Sequence, residues 1–342
     1  MSNRLELDNL RVGLVGYGRF GRLHSEAIRS TPGLEVKSIC VGTKENADAI
    51  KKESNAEVYW DFDEFLGKGG LDAVDIVSPN YLHARQARSA LAKGLHVLLE
   101  KPIATDLNDA EELLKRAAVA KSVVQVGLQY RYEPFWKEFK KAIGTGIVSS
   151  PTFAKFESWR GPFRSGSGNW RYDGARVGHQ LLEEAVHYFD LAAWFFGMPS
   201  RVSGFTDSPK TWNTGLFGTA VVILDYPNGL KVMLVDTLNG LMGHTTASVT
   251  GEGAMLGVMQ AGLDGSTSCW VRVRDARGGF STAVPVALEE IEGVKLELQD
   301  FVTAVRAGSK PAITLEDGYR ALRLDLAAIS AIGSKSAVDI PT

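Results

Sequence analysis

Three glycines directly after a short apolar run constrain the fold of this chain more than any other feature. The run Leu10–Gly18 reads as a buried strand that ends in glycines, and Gly16, Gly18 and Gly21 form G-x-G-x-x-G at the start of a helical pattern. In this motif the first glycine permits a tight turn, the second lets the backbone approach a pyrophosphate, and the third lets helix and strand pack closely. The motif predicts a dinucleotide site, the alternative being a purely structural turn. The predicted cofactor-binding residues here are Gly16, Tyr17, Gly18, Arg19, Phe20 and Gly21.

Strands and helices alternate over the first 130 residues. Segments rich in Val, Ile and Leu have the length of buried strands, and they are Leu34–Cys40, Asp72–Ser78, His96–Glu100 and Val123–Gly127. Stretches with helical spacing lie between them, such as NYLHARQARSALAKG. This alternation is typical of a parallel sheet covered on both faces. The sequence therefore predicts an α/β protein in which residues 1–130 form an N-terminal Rossmann domain with a doubly wound parallel sheet.

The position that commonly distinguishes NAD from NADP lacks a carboxylate. NAD-binding domains usually carry Asp or Glu about 20 residues after the glycines, where it contacts the ribose hydroxyls. That count ends here at Val41, and Thr43 and Lys44 follow. Because these two side chains can meet a 2′-phosphate, the sequence places them in the cofactor site and favours NADP over NAD. The alternative for Lys44 is an ordinary solvated lysine at a helix start.

Residues 131–342 have a different pattern. Longer runs with period-two alternation, among them TFAKFESW, TAVVILDY and LKVMLVDT, are typical of antiparallel strands with one covered face. We predict a C-terminal α+β domain with a large, mostly antiparallel open sheet. Its C-terminal helix is able to pack back on the first domain. An apolar open face needs a cover, which predicts a homo-oligomer, either a dimer or a tetramer.

Composition excludes several classes of protein. The 38 basic and 40 acidic side chains nearly cancel, so neither nucleic acid nor an anionic membrane is an expected partner. No apolar run reaches the roughly 18 residues of a membrane-spanning helix. Two cysteines, Cys40 and Cys269, are too few for a disulfide framework. These features favour a cytoplasmic protein.

A carboxylate and an imidazole stand four residues apart in the segment HQLLEEAVHYFDLAAWFFG. On a helix Glu183 and His187 would share one face, where a carboxylate can orient the ring for proton transfer. The alternative is an ordinary surface pair. A metal site that includes Asp190 is a further alternative, but no cluster of His or Cys supports it, and no metal is predicted. The preceding segment 160–178 is long and rich in Gly, Ser and Arg, as functional loops often are.

Several segments together resemble the glucose–fructose oxidoreductase/inositol dehydrogenase (Gfo/Idh/MocA) family. They are GLVGYGRFGRLHSEAI, SPNYLH, EKPIATDL, QYRYEP, LLEEAVHYFDLAAWFFG and the tail ELQDFVTAVRAG…PAITLEDGYRAL. The resemblance spans essentially the whole chain, and the EKP element with the acid-x-x-x-His segment is its most specific part. It implies a Rossmann domain followed by a substrate-binding domain, residues 131–342, whose open sheet forms an oligomer interface. One departure is Glu183, because the family more often has Asp there.

The resemblance also implies roles for individual residues. His187 would be the general acid/base for the reacting hydroxyl or carbonyl, Lys101 would hydrogen-bond that oxygen, and Glu183 would orient the site. The residues implied on the cofactor side are Ser78, Asn80, His83, Glu100, Lys101 and Gln129. Those expected on the substrate side are Lys101, Arg131, Glu183 and His187, with Trp159, Arg164, Trp170 and Tyr172 from the loop region. The loop residues are included because aromatic faces suit sugar rings and arginines suit hydroxyls.

The resemblance implies an NAD(P)-dependent oxidoreductase that acts on a secondary hydroxyl or carbonyl of a sugar, cyclitol or related polyol. Hydride would move to or from the nicotinamide, with proton transfer by Lys101 and His187. One alternative is a glycoside-cleaving enzyme that oxidises its substrate transiently and recycles its nicotinamide cofactor. Another is a non-catalytic protein that senses nucleotides.

Overall fold

The computed structural model describes residues 9–54, 56–68, 70–146, 148–164, 166–207, 218–240, 243–252, 254–261, 268–274, 280–282 and 290–341. The chain divides into two compact units. The first unit comprises Met1–Gln129 and Glu289–Tyr319, and the second comprises Tyr130–Leu288 and Arg320–Thr342. The structure thus assigns 289–319 to the first unit, a difference from the boundaries 1–130 and 131–342 predicted from the sequence.

The sheet of the first unit is parallel throughout, as predicted. Its strands are β1 (Leu10–Val15), β2 (Leu34–Cys40), β3 (Glu57–Tyr59), β4 (Ala73–Ile76), β5 (His96–Glu100) and β6 (Val124–Gly127). They are ordered β3-β2-β1-β4-β5-β6. The order reverses direction between β1 and β4, which creates the crevice where doubly wound sheets bind their ligands.

The described helices alternate with the strands in the first unit and cover one sheet face in the second. They are α1 (Arg19–Ser30), α2 (Lys44–Ile50), α3 (Phe62–Lys68), α4 (His83–Ala92), α5 (Leu107–Val119), α6 (Pro134–Gly144), α7 (Gly174–Val177), α8 (Ala185–Phe196), α9 (Glu290–Ala307) and α10 (Leu315–Ser334). Helix α9 lies in the first unit because its apolar residues Val294, Leu298 and Phe301 pack in one core with Ala27 and Leu98. None of the helices in the described part of the chain is long and apolar enough to cross a bilayer.

The second unit contains a mixed, mostly antiparallel sheet, also as predicted. Its strands are β7 (Ser149–Trp159), β8 (Arg201–Thr206), β9 (Thr219–Asp225), β10 (Lys231–Thr237), β11 (His244–Glu252), β12 (Ala254–Ala261), β13 (Ser268–Arg274), β14 (Phe280–Thr282) and β15 (Val338–Asp339). Their order is β14-β13-β12-β11-β7-β10-β9-β8-β15. The pair β7–β10 is parallel, with Phe153 opposite Lys231.

One face of this sheet carries the core of the second unit. The buried aromatic residues Trp136 of α6, Phe156 of β7 and Phe189 of α8 pack together there. Residues alternate along β9, where Ala220, Val222 and Leu224 are buried and their neighbours are less so. Period-two burial of this kind positions α8, and with it His187, over the covered face.

Candidate functional site

The turn after β1 depends on contacts that only glycine permits. Gly16 has φ +98°, and a Cβ there would lie 2.7 Å from the Val77 carbonyl oxygen. A Cβ on Gly21 would lie 2.3 Å from the Gly16 carbonyl oxygen, whereas a Cβ on Gly18 would meet nothing within 4 Å. Gly16 and Gly21 are therefore required by packing. Gly18 leaves open space at the N-terminus of α1, where backbone N–H groups favour a phosphate.

A cavity of about 490 Å³ adjoins this turn at the carboxyl ends of the parallel strands. Its walls include Gly16, Cys40, Val41, Gly42, Trp60, Asp61, Asp63, Ser78, Leu82, Arg85 and Gln86. The glycine turn and the cavity together fit a dinucleotide, with its pyrophosphate at the start of α1 and its adenosine in the cavity.

Two residues predicted to favour NADP have other contacts in the structure. The Thr43 hydroxyl accepts a hydrogen bond from the Asn46 N–H at 3.2 Å and so caps α2. The Lys44 ammonium lies 5.7 Å from the centre of the Trp60 ring. Both residues are exposed beside the cavity, but neither belongs to its wall as Gly42 does.

The predicted residues Ser78, Asn80 and His83 lie together after β4. Ser78 donates to Gln86 Oε1 at 2.5 Å, and Asn80 is buried. His83 is buried with Nδ1 2.7 Å from the Pro102 carbonyl oxygen and Nε2 2.8 Å from the Ser78 carbonyl oxygen. Carbonyl oxygens only accept, so His83 ties the loop after β4 to the loop after β5.

Lys101 is half-buried directly after β5, and Gln129 is half-buried after β6. Lys101 donates its backbone N–H to Glu100 Oε2 at 3.2 Å. Burial raises the pKa of Glu100 to about 7, against opposing effects of His24 and Lys101. Glu100 therefore holds the backbone next to Lys101 from inside the unit.

A buried polar cluster lies behind Glu100. His24 of α1 has Nδ1 2.8 Å from Asp75 Oδ2 and Nε2 3.6 Å from Glu100 Oε1. Gln125 donates to the backbone carbonyl of Glu297 on α9 at 2.8 Å. Burial, followed by the nearby carboxylates Glu100 and Asp75, raises the pKa of Glu297 well above its ordinary range. Burial raises the pKa of both Glu100 and Glu297, so this cluster favours the protonated forms of these two carboxyl groups.

His187 is buried on α8 in the second unit and stacks on Tyr130. The two ring centres are 4.2 Å apart with an interplanar angle of 17°. The Tyr130 hydroxyl donates to Glu184 Oε1 at 3.0 Å. Burial, with Glu184 as the next cause, raises the pKa of Tyr130 well above its ordinary range. The phenol thus keeps its proton and holds the imidazole in one orientation.

The two adjacent glutamates have different partners. Glu183 Oε2 accepts from Arg171 Nε at 2.6 Å, whereas Glu184 pairs with Arg160 and with Tyr130. Helix α8 begins at Ala185, because Glu184 has φ −130° and lies outside it. Glu183 therefore precedes the α-helix, and the helical spacing used to pair it with His187 does not apply.

Arg131, predicted to contact substrate, is buried against Asp190. Its Nε lies 2.8 Å and its second nitrogen 2.5 Å from the two carboxylate oxygens. The bidentate pair joins the segment after β6 to the middle of α8. Arg131 therefore holds the two segments that carry Tyr130 and His187.

The predicted loop residues do not form one surface. Trp159 and Arg164 are exposed, and Trp170 is buried with the Arg171 guanidinium 4.4 Å from its ring centre. Tyr172 donates its hydroxyl to the Phe163 carbonyl oxygen. Trp170 and Tyr172 therefore stabilise the loop itself.

The sequence did not point to Tyr130 or Glu184 as parts of this site. Tyr130 lies inside QYRYEP, one of the segments that carry the family resemblance. Nothing in the sequence, however, distinguishes Glu184 from the glutamate before it.

Two family descriptions match the chain. Residues 10–128 match an oxidoreductase family with an NAD-binding Rossmann fold, and residues 136–257 match the GFO/IDH/MocA C-terminal domain. The fold and the glycine turn thus define an oxidoreductase with an NAD-binding unit. The chain belongs to the GFO/IDH/MocA family, which confirms the resemblance seen in its sequence.

Related proteins align over nearly the whole chain. A myo-inositol 2-dehydrogenase of Thermotoga maritima is 24% identical over 339 residues, covering 97% of this chain and 98% of the relative. A scyllo-inositol 2-dehydrogenase (NAD(+)) of Bacillus subtilis is 26% identical over 339 residues, covering 93% of each. The solved myo-inositol 2-dehydrogenase from Lactobacillus plantarum has a TM-score of 0.82 at 23% identity, covering 98% of this chain and 100% of that one. A levoglucosan dehydrogenase in complex with NADH and levoglucosan has a TM-score of 0.85 at 23% identity, with the same coverage. The structural similarity shows a shared fold.

Proposed function

We propose that this oxidoreductase interconverts a secondary hydroxyl and the matching carbonyl of a cyclitol, sugar or related polyol. The observation that carries the proposal is the buried His187, stacked on the Tyr130 ring, whose hydroxyl donates to the Glu184 carboxylate. A fixed imidazole is the most common general acid/base for a reacting hydroxyl. The inositol 2-dehydrogenases among the relatives support a cyclitol as substrate.

The proposed mechanism divides the work between proton transfer and positioning. In the oxidation direction His187 takes the hydroxyl proton, and Lys101 donates a hydrogen bond to the same oxygen. The nicotinamide supplies the hydride acceptor when the cofactor is bound. Glu183 helps to orient the site, as the family resemblance implies, and Arg131 positions the helix that carries His187. Cofactor binding falls to the glycine turn at Gly18, the cavity beyond it and the loops of Ser78, Asn80 and Gln129.

The predicted preference for NADP(H) rests on Thr43 and Lys44 alone. The family description and the complexes of related structures concern NAD(H). The preference therefore stays a prediction, and titration of the apoprotein with both reduced cofactors decides it.

The reaction is tested by absorbance at 340 nm with NAD⁺ or NADP⁺ against a panel of inositols, sugars, polyols and their keto forms. Stoichiometric NAD(P)H from one cyclitol or sugar is the expected result. Bond cleavage without net NAD(P)H would instead identify a glycoside-cleaving enzyme that recycles its cofactor. Cofactor binding without turnover of any member of the panel would favour a nucleotide sensor and contradict the proposal.

A further inference from the structure

Strand β3 ends beside β2 and brings its following residues to the cavity of the first unit. The Val41 N–H donates to the Tyr59 carbonyl oxygen at 2.9 Å, so the two strand ends run side by side. Trp60 and Asp61 follow β3 directly and line the cavity. In NAD-binding domains the residue after β2 commonly has a carboxylate, but here it is Val41. Asp61, which follows the neighbouring strand β3, places a carboxylate at the same edge of the sheet.

The Asp61 carboxylate is held by the start of α3. Its Oδ1 accepts the Glu64 N–H at 2.7 Å, as an N-cap does. The carboxylate also acts on Cys40 at the end of β2, whose thiol pKa is raised to about 12 by burial and then by Asp61. A carboxylate fixed through one oxygen retains acceptor sites for a ligand.

Two lysine side chains lie over the Trp60 ring, whereas two carboxylates belong to the cavity wall. The ammonium groups of Lys44 and Lys51 lie over Trp60, 5.7 and 5.3 Å from the ring centre. The charged side chains of the wall itself are Asp61, Asp63 and Arg85. A 2′-phosphate would add about two negative charges beside two carboxylates. A ribose hydroxyl, by contrast, can donate a charge-assisted hydrogen bond to one of them.

We infer that Asp61 accepts a hydrogen bond from the adenosine ribose and thereby selects NAD(H) over NADP(H). This assignment opposes the preference predicted from Thr43 and Lys44. It rests on the NAD-binding role of the first unit and is independent of the proposed cyclitol or sugar substrate.

The test measures binding of NADH and NADPH to the protein without substrate, by the fluorescence of the reduced nicotinamide. The wild type should bind NADH at least tenfold more tightly than NADPH. Asp61→Asn removes the charge but keeps a side chain that caps helices equally well. It should weaken NADH binding about tenfold and leave NADPH binding unchanged or tighter. Asp48→Asn removes an equal charge at an exposed position of α2 outside the cavity wall, and it should leave NADH affinity within about twofold.

A second arm changes the ligand instead of the protein. NADH that lacks the adenosine 2′-hydroxyl should bind the wild type about tenfold more weakly than NADH, with no such loss in Asp61→Asn. An equal loss in both proteins would overturn the assignment, as would a wild type that binds NADPH as tightly as NADH. Tight NADH binding with the expected variant pattern but no turnover would support Asp61 and contradict only the proposed reaction.

Discussion

At the scale of single residues, the contacts of His187 in the second unit bear on its proposed role as general base. His187 is stacked on Tyr130, and the Tyr130 hydroxyl is anchored on Glu184. Glu184 is in turn paired with Arg160. The stacked Tyr130 ring limits rotation of the imidazole, and its own contacts fix that ring; positioning of this kind adds to catalytic effect.

Replacing His187 or Lys101 with Ala should lower kcat by roughly 10²–10⁴, the usual effect of losing a proton-transfer group. NADH affinity should stay within about threefold, because the glycine turn holds the phosphates through backbone groups. The measurement pairs steady-state kinetics with NADH titration, and Lys121→Ala, an exposed lysine, is the control. Near-normal activity of His187→Ala would contradict the proposed mechanism.

Tyr130 separates the effect of stacking from that of hydrogen bonding. Tyr130→Phe keeps the ring on His187 but loses the hydrogen bond to Glu184, and kcat should fall about fivefold. Tyr130→Ala removes both, and kcat should fall about a hundredfold while NADH affinity is unchanged. Equal kcat in the two variants would show that the ring does not orient His187.

At the scale of elements, β4, β5 and β6 place apolar and polar residues on the same sheet face. Ala73 of β4 and Leu98 of β5 belong to the hydrophobic core. Asp75 and Glu100 lie two residues further along these strands and are buried, as is Gln125 of β6. The core of the first unit therefore contains the buried carboxyl groups of Asp75 and Glu100 next to Lys101, a residue of the proposed site.

The folded protein should lose stability as pH rises through this cluster. Burial raises the pKa of Glu100 from 4.5 to about 7, so between these values the folded state binds more protons than the unfolded state. The free energy of unfolding then falls with rising pH, by about 1.4 kcal/mol per unit of pKa difference. In Glu100→Gln the fall in Tm between pH 4.5 and 7 should be smaller. The control is Glu292→Gln on α9, where the side chain is 47% exposed. A fall in Tm as large in Glu100→Gln as in the wild type would contradict the prediction.

At the scale of the whole molecule, the sheet of the second unit has an apolar face opposite its helices. Phe153, Phe205 and Met255 on β7, β8 and β12 are 39%, 63% and 49% exposed. Large apolar residues on an open sheet are typical of a surface covered by another subunit. The homo-oligomer predicted from the sequence is therefore our proposal for the assembly.

Light scattering at micromolar concentration should give two or four times the 37.1 kDa mass of one chain. Phe205→Asp puts a charge on the apolar face and should shift the mass toward one chain. Val119→Asp makes the same kind of change at a 75% exposed position of α5 and should leave the mass unchanged. A wild-type mass of one chain would contradict the proposed assembly.

Local patterns alone were sufficient to predict much of this protein. Strand and helix periodicities act within a few residues, so the parallel sheet and the mostly antiparallel sheet were predictable. The requirement for glycine at Gly16 and Gly21 also arises locally, from a tight turn and its adjoining helix. The EKP and acid-x-x-x-His elements carried the family, because they are short and specific.

Tertiary structure alone decided which side chains meet. The carboxylate at the cavity edge beside Val41 comes from Asp61 after β3, because strand order places β3 next to β2. The Tyr130 hydroxyl donates to Glu184, which lies 54 residues further along the chain and directly before α8. Sequence spacing measures distance along the chain, whereas sheet pairing and helix ends determine distance in space. For that reason the residues of a pattern were predictable, but their partners were not.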